Sequence, residues 1–130
     1  MPEANLSLLL KNMNPVLHEG IFVFHSSDIS FKDSAKLEPI MIFKEAEGTA
    51  FILHKERADK ANLDYIYPSS MITLKVSSSL DAIGFLAAIT NKLADNGVSV
   101  NPVSAHFHDH LFVPEGKGEQ AMALLNQLAE

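Results

Sequence analysis

Residues 71–114 carry the clearest hydrophobic pattern of the chain. Ile72, Leu74 and Val76 alternate with Thr73, Lys75 and Ser77, which predicts a strand with one buried face. Ile83, Leu86, Ala87, Thr90, Leu93 and Ala94 then recur at helical spacing, and Phe85 and Ile89 widen the stripe. This predicts an amphipathic helix over residues 81–95, opened by the Ser78-Ser79 turn and stopped by Asn96-Gly97. Beyond it, Val98 and Val100 share one parity, and Val103, Ala105 and Phe107 share the other. A one-residue slip inside a strand is what a β-bulge produces, and proline in a sheet belongs at bulges or edges. A bulge is therefore expected at Asn101-Pro102. A His108-Asp109-His110 turn and a further strand follow. Ala121, Leu124, Leu125 and Leu128 predict a last amphipathic helix.

The first half alternates shorter signals. Asn5 is placed to cap a helix carrying Leu6, Leu9, Leu10 and Met13, which Pro15 ends. Ile21-Phe22-Val23-Phe24-His25 reads as a strand, and residues 26–36 read as a polar loop with room for one helical turn. Ile40-Met41-Ile42-Phe43 and Ala50-Phe51-Ile52-Leu53 are apolar on both faces and flank Glu45-Ala46-Glu47-Gly48, a hairpin connection. Residues 55–62 predict a short charged helix. Tyr65-Ile66-Tyr67 predicts one more strand before Pro68.

Composition narrows the function. The chain has 130 residues, 47% of them hydrophobic, and a formal net charge of −6. That is enough apolar material for a core, and the acidic balance with no Lys/Arg cluster argues against nucleic acid and anionic lipid as partners. There is no cysteine, which excludes disulfides, thiolate metal sites and cysteine nucleophiles. The start of the chain lacks the basic and apolar regions of a signal peptide, and no apolar run reaches the roughly 20 residues of a membrane span. A soluble cytoplasmic protein is expected.

The passage from strand to helix at Ser78-Ser79-Leu80-Asp81-Ala82-Ile83-Gly84 is the strongest chemical signal. A helix start leaves backbone N–H groups unpaired and suits a small anion such as a carboxylate. Read blandly, one serine is an N-cap and Asp81 complements the helix dipole. Read functionally, a ligand carboxylate accepts from the N–H groups near Ala82, Ile83 and Gly84, with Ser78, Ser79 and Asp81 beside it. Its ammonium then requires an acceptor, either a strand carbonyl near Asn101, Pro102 and Val103 or a carboxylate.

The order strand-helix-strand-strand-helix from Met71 onward resembles the ACT domain, a small βαββαβ module that senses amino acids in metabolic enzymes. Residues 78–87, with Val98-Ser99-Val100-Asn101 after them, are similar to the effector loop and second strand of aspartokinase ACT domains. Asn101-Pro102-Val103-Ser104-Ala105 and residues 108–114 are similar to small bacterial stand-alone ACT proteins related to the CASTOR arginine sensors. Tyr65-Ile66-Tyr67-Pro68-Ser69-Ser70-Met71-Ile72-Thr73 fits the same group. The resemblance implies an α+β protein of two ferredoxin-like ACT units in tandem, with antiparallel sheets and helices on one face. The units expected are a degenerate one over residues 1–68 and a second over residues 69–130. It also implies a small-molecule effector, an amino acid, bound by a non-catalytic regulatory protein that needs no cofactor and assembles as a homodimer or higher oligomer. The second unit ends on its helix at Glu130, so its fourth strand has to come from the N-terminal half or another chain, or be missing.

Two other readings compete. His106, His108 and His110 would share one face of an extended strand, which suits zinc and a metal-dependent hydrolase; Asp109 is expected in the turn, which breaks that geometry. A ligand-free oligomerisation module is the third possibility. Elsewhere the chemistry is thin. His18, His25 and His54 are scattered, no serine sits in a Gly-x-Ser-x-Gly elbow, and Gly116-Lys117-Gly118 is too short for a P-loop.

Overall fold

The computed structural model describes residues 2–130. The chain forms two compact units: a central unit, Gly20–Ser69, and a flanking unit made of residues 2–19 together with Ser70–Glu130.

The central unit runs β2 (Phe22–Ser27), α2 (Phe31–Ala35), β3 (Met41–Glu45), β4 (Gly48–His54), α3 (Lys55–Lys60) and the first part of β5 (Ile66–Leu74). That order is a complete βαββαβ module, with strands arranged β3-β4-β2-β5. β3 and β4 form the expected hairpin, with Glu45 paired to Gly48 across Ala46 and Glu47. Val23, Phe51, Leu53 and Ala58 are its buried core. The residues 26–36 segment contributes the single helical turn expected, capped where Ser30 Oγ accepts from the Asp33 N–H.

The flanking unit is assembled from both ends of the chain. α1 (Leu6–Lys11) and β1 (Pro15–Leu17) come from the N-terminus. The second part of β5, α4 (Phe85–Asp95), β6 (Asn101–Ser104), β7 (Asp109–Pro114) and α5 (Gly118–Leu128) come from the C-terminal half. β1 pairs antiparallel with β5, Val16 opposite Thr73, and the strand order is β1-β5-β7-β6. This answers the missing fourth strand: three residues past the α1 helix supply it. Asn5 caps α1 as expected, its side chain accepting from the Leu8 N–H. Leu9, Met13, Ile72, Leu74, Ile89, Leu93, Leu111, Val113 and Leu125 form one core in which the strand alternation and the α4 stripe meet as the sequence predicts.

Two local expectations are corrected. β6 pairs with β7 in unbroken register, Asn101 to Phe112, Pro102 to Leu111, Val103 to His110 and Ser104 to Asp109. There is no bulge at Asn101-Pro102. Val98 and Val100 precede the strand, so their parity is irrelevant to it, and Pro102 is tolerated because β6 ends the strand order. The proline logic applies instead at Pro68. The predicted strand at Tyr65-Ile66-Tyr67 and the one at Ile72 are a single strand, β5. Against β2, Phe24 faces Ile66 and Phe22 faces Ser69, so one residue is extra on β5. Tyr67, with φ +56°, and Pro68 absorb it, and the proline's missing N–H falls where the ladder is already interrupted.

Candidate functional site

The loop from β5 to α4 is held before the helix begins. Glu3 donates its N–H to the Ser77 carbonyl (2.9 Å) and accepts the Ser79 N–H (2.8 Å), so the N-terminal segment ties down the serines. Ser79 Oγ then accepts from the Asp81 N–H at 3.1 Å, and the Ser79 carbonyl accepts from the Ala82 N–H at 3.0 Å. The helix expected from residue 81 therefore starts at Phe85. The serine captures the N–H groups of 81 and 82 in a tight turn, which competes with helix formation. Gly84 occupies the N-cap position at φ +90° and offers no side-chain cap, a backbone conformation suited to glycine. The first helical bond is Ala88 N–H to the Gly84 carbonyl, 2.9 Å. The N–H groups of Phe85, Leu86 and Ala87 therefore have no intrahelical acceptor.

These N–H groups border a cleft of about 200 Å³. Ser78, Ser79, Ala82 and Gly84 lie on its loop side, and Ser104 and Asp109 lie on its strand side. Asp109 is the first residue of β7 rather than the turn residue expected; the turn is closed one step earlier, by the Ala105 N–H to the His108 carbonyl at 3.0 Å. The residue is buried, 6% exposed, and its carboxylate accepts from Ser78 Oγ at 3.2 Å. The cleft thus places unpaired N–H donors and the positive end of an 11-residue helix near a shielded carboxylate. An anion and a cation on one small molecule are both provided for.

Of the nine residues singled out in the sequence, Ser78, Ser79, Ala82 and Gly84 are brought together here. Asp81, Ile83, Asn101, Pro102 and Val103 are not on the cleft wall; Ile83 is 88% exposed, and β6 presents Ser104 instead. Asp109 and the first turn of α4 were not among those nine. A signal for Asp109 existed: it shares parity with Leu111 and Val113, which places a carboxylate on the core-facing side of the strand. His106 is exposed in the turn and His110 is half-buried on β7. Among the described residues, no three His, Asp or Glu side chains are grouped to hold a metal ion.

Two units, one a βαββαβ module and the other assembled from both ends of the chain and carrying a small polar cleft at a helix start, have the make-up of a regulatory ligand-binding class of protein. Family models of the ACT domain match residues 1–70 and residues 66–127, and the chain belongs to the ACT domain family. A Vibrio cholerae protein described as of unknown function and a possible transport protein is similar at 40% identity, with TM-score 0.88 over 96% of this chain and 96% of that one. The regulatory subunit of aspartate kinase from Thermus thermophilus, in ligand-free form, has the same fold: 14% identity, TM-score 0.69, 92% of this chain and 99% of that one. An Agrobacterium tumefaciens protein shares it at 17% identity, TM-score 0.68, over 88% and 87%. No curated protein sequence matches.

Proposed function

We propose that the protein is a non-catalytic cytoplasmic sensor that binds a small amino acid in the cleft between the start of α4 and Asp109. The observation that carries this reading is the pairing of opposite chemistries across one small space. The ligand carboxylate accepts from the N–H groups of Phe85, Leu86 and Ala87. Its ammonium donates to the Asp109 carboxylate, which Ser78 already orients at 3.2 Å. Gly84 keeps the approach to the helix end free of a side chain, and a volume of about 200 Å³ favours a short side chain. Among the described residues no helix is long and apolar enough to cross a membrane.

Leu80 and Ile83 in the same loop are 74% and 88% exposed, and Phe107 is 64% exposed. Apolar side chains left in water at this density favour burial against a further copy, so the sensor acts as a homodimer or higher homo-oligomer. Light scattering at micromolar concentration checks this, with a monomer as the opposing result. A thermal-shift screen against the common amino acids tests the ligand. A ligand at a hundredfold excess over its Kd stabilises by about 2.7 kcal/mol. Flat shifts across the whole set oppose the sensor reading and favour an oligomerisation module without a ligand.

A further inference from the structure

Away from the cleft, the flanking unit buries one hydroxyl between two histidines. Ile72 and Leu74 enter the core, so Thr73 faces the opposite side of the sheet, yet it is only 3% exposed. The β1 ladder continues one residue past Leu17, where the His18 N–H donates to the Met71 carbonyl at 2.9 Å. This sets the His18 ring beside Thr73, with Nε2 2.7 Å from Oγ1. From β7, His110 Nδ1 lies 2.9 Å from the same oxygen. One hydroxyl thus joins three strands.

These contacts have a fixed proton inventory. Two hydrogen bonds need two hydrogens: the threonine supplies one and a neutral imidazole the other, so one ring donates and the other accepts. A proton added to the accepting ring makes both ring nitrogens donors. The hydroxyl oxygen can accept from both, but its own hydrogen must then turn away inside a buried site. The charged ring also feels Lys75, just past the end of β5, and His108, just before β7, with Asp109 on β7 opposing them. Burial, and then Lys75, hold His18 below the usual imidazole range. Burial, and then His108 and His18, do the same for His110. β1 has three residues, so few backbone bonds share the task of holding it.

We propose that the His18–Thr73–His110 chain is a proton-sensitive clasp, in which neutral rings hold the N-terminal strand β1 against β5 and protonation releases it. The sign follows from the neutral form being favoured in the folded unit. A freed imidazole takes up protons near its ordinary value of about 6.5. The clasp is complete above that pH and weakens as pH falls below it, with the opening constant rising by up to about tenfold per pH unit for each histidine freed. Release uncovers the β5 edge, a strand-pairing surface.

Amide hydrogen exchange on the full chain, corrected for intrinsic rates, tests the clasp. Protection of the His18 N–H is expected to fall at least about fivefold between pH 7.5 and pH 5.5, while Val23 and Leu53 of the central unit hold theirs. In a His18→Gln, His110→Gln protein, whose amides bond the hydroxyl without titrating, that fall should vanish. Thr73→Val should lower the protection at pH 7.5 and flatten its pH dependence. If neither variant folds, ring titration of the unaltered protein decides, with both histidines expected to titrate below the ordinary value. Unchanged His18 protection at pH 5.5, an undiminished fall in the double variant, or ordinary ring titration would overturn the clasp.

Discussion

Replacing Asp109 by asparagine separates the charge of the cleft from its shape. Asp109 is a buried residue whose carboxylate accepts one hydrogen bond from Ser78, at 3.2 Å. The amide keeps the size and one acceptor oxygen, so the Ser78 contact survives. Stability should change by less than about 1 kcal/mol, because no buried group loses its partner. The ligand's ammonium loses more. A hydrogen bond to a charged group contributes about 1.5–3 kcal/mol, which corresponds to roughly 10–150-fold in Kd. Calorimetric titration with the amino acid that most stabilises the unaltered protein reads this directly, beside a melting curve. A deaminated analogue of that ligand should bind weakly, and equally to both proteins, since it has no ammonium to lose. If the Asp109→Asn protein is folded and its Kd lies within about twofold of the original, the carboxylate is not the ammonium partner and the reasoning fails.

Gly84→Leu introduces bulk at the cleft and a side chain at φ +90°. It is expected to abolish binding while lowering stability by about 1–2 kcal/mol, and unchanged affinity in the folded variant would move the site elsewhere. Gly48→Ala is a control for the hairpin of the central unit. Its Cβ would lie 2.5 Å from the Ser27 carbonyl oxygen, so thermal melting should show a loss of at least about 2 kcal/mol. Binding stoichiometry by calorimetry should be one ligand per chain. The corresponding helix of the central unit, α2, has five residues, and its start is closed by Ser30 Oγ, with Asp33 in the first turn repelling a carboxylate; two ligands per chain would contradict this.

The amino-acid sequence by itself determined the features whose cause is local. Alternation at Ile72, Leu74 and Val76 and the helical stripe from Phe85 to Leu93 need no distant partner to be read, because their periods come from backbone geometry. The Asn5 cap and the hairpin at Ala46 and Glu47 are likewise settled by side chains a few residues apart. The turn at the serines was legible in the sequence, though not its detail: whether Ser79 caps a helix or closes its own turn depends on Glu3 arriving from the N-terminus to hold it. Only tertiary structure decided what depends on pairing across long separations. A three-residue segment such as Pro15–Leu17 carries too little pattern to announce itself as a strand, and it becomes one because β5 offers an edge to it. The bulge belongs to Tyr67 and Pro68 rather than to Asn101 and Pro102 because register exists between strands, and a single strand's parity does not reveal its neighbour's. Asp109 joins Ser78, and Thr73 joins His18 and His110, for the same reason: side chains 31, 55 and 37 positions apart meet only when the strands that carry them are laid side by side.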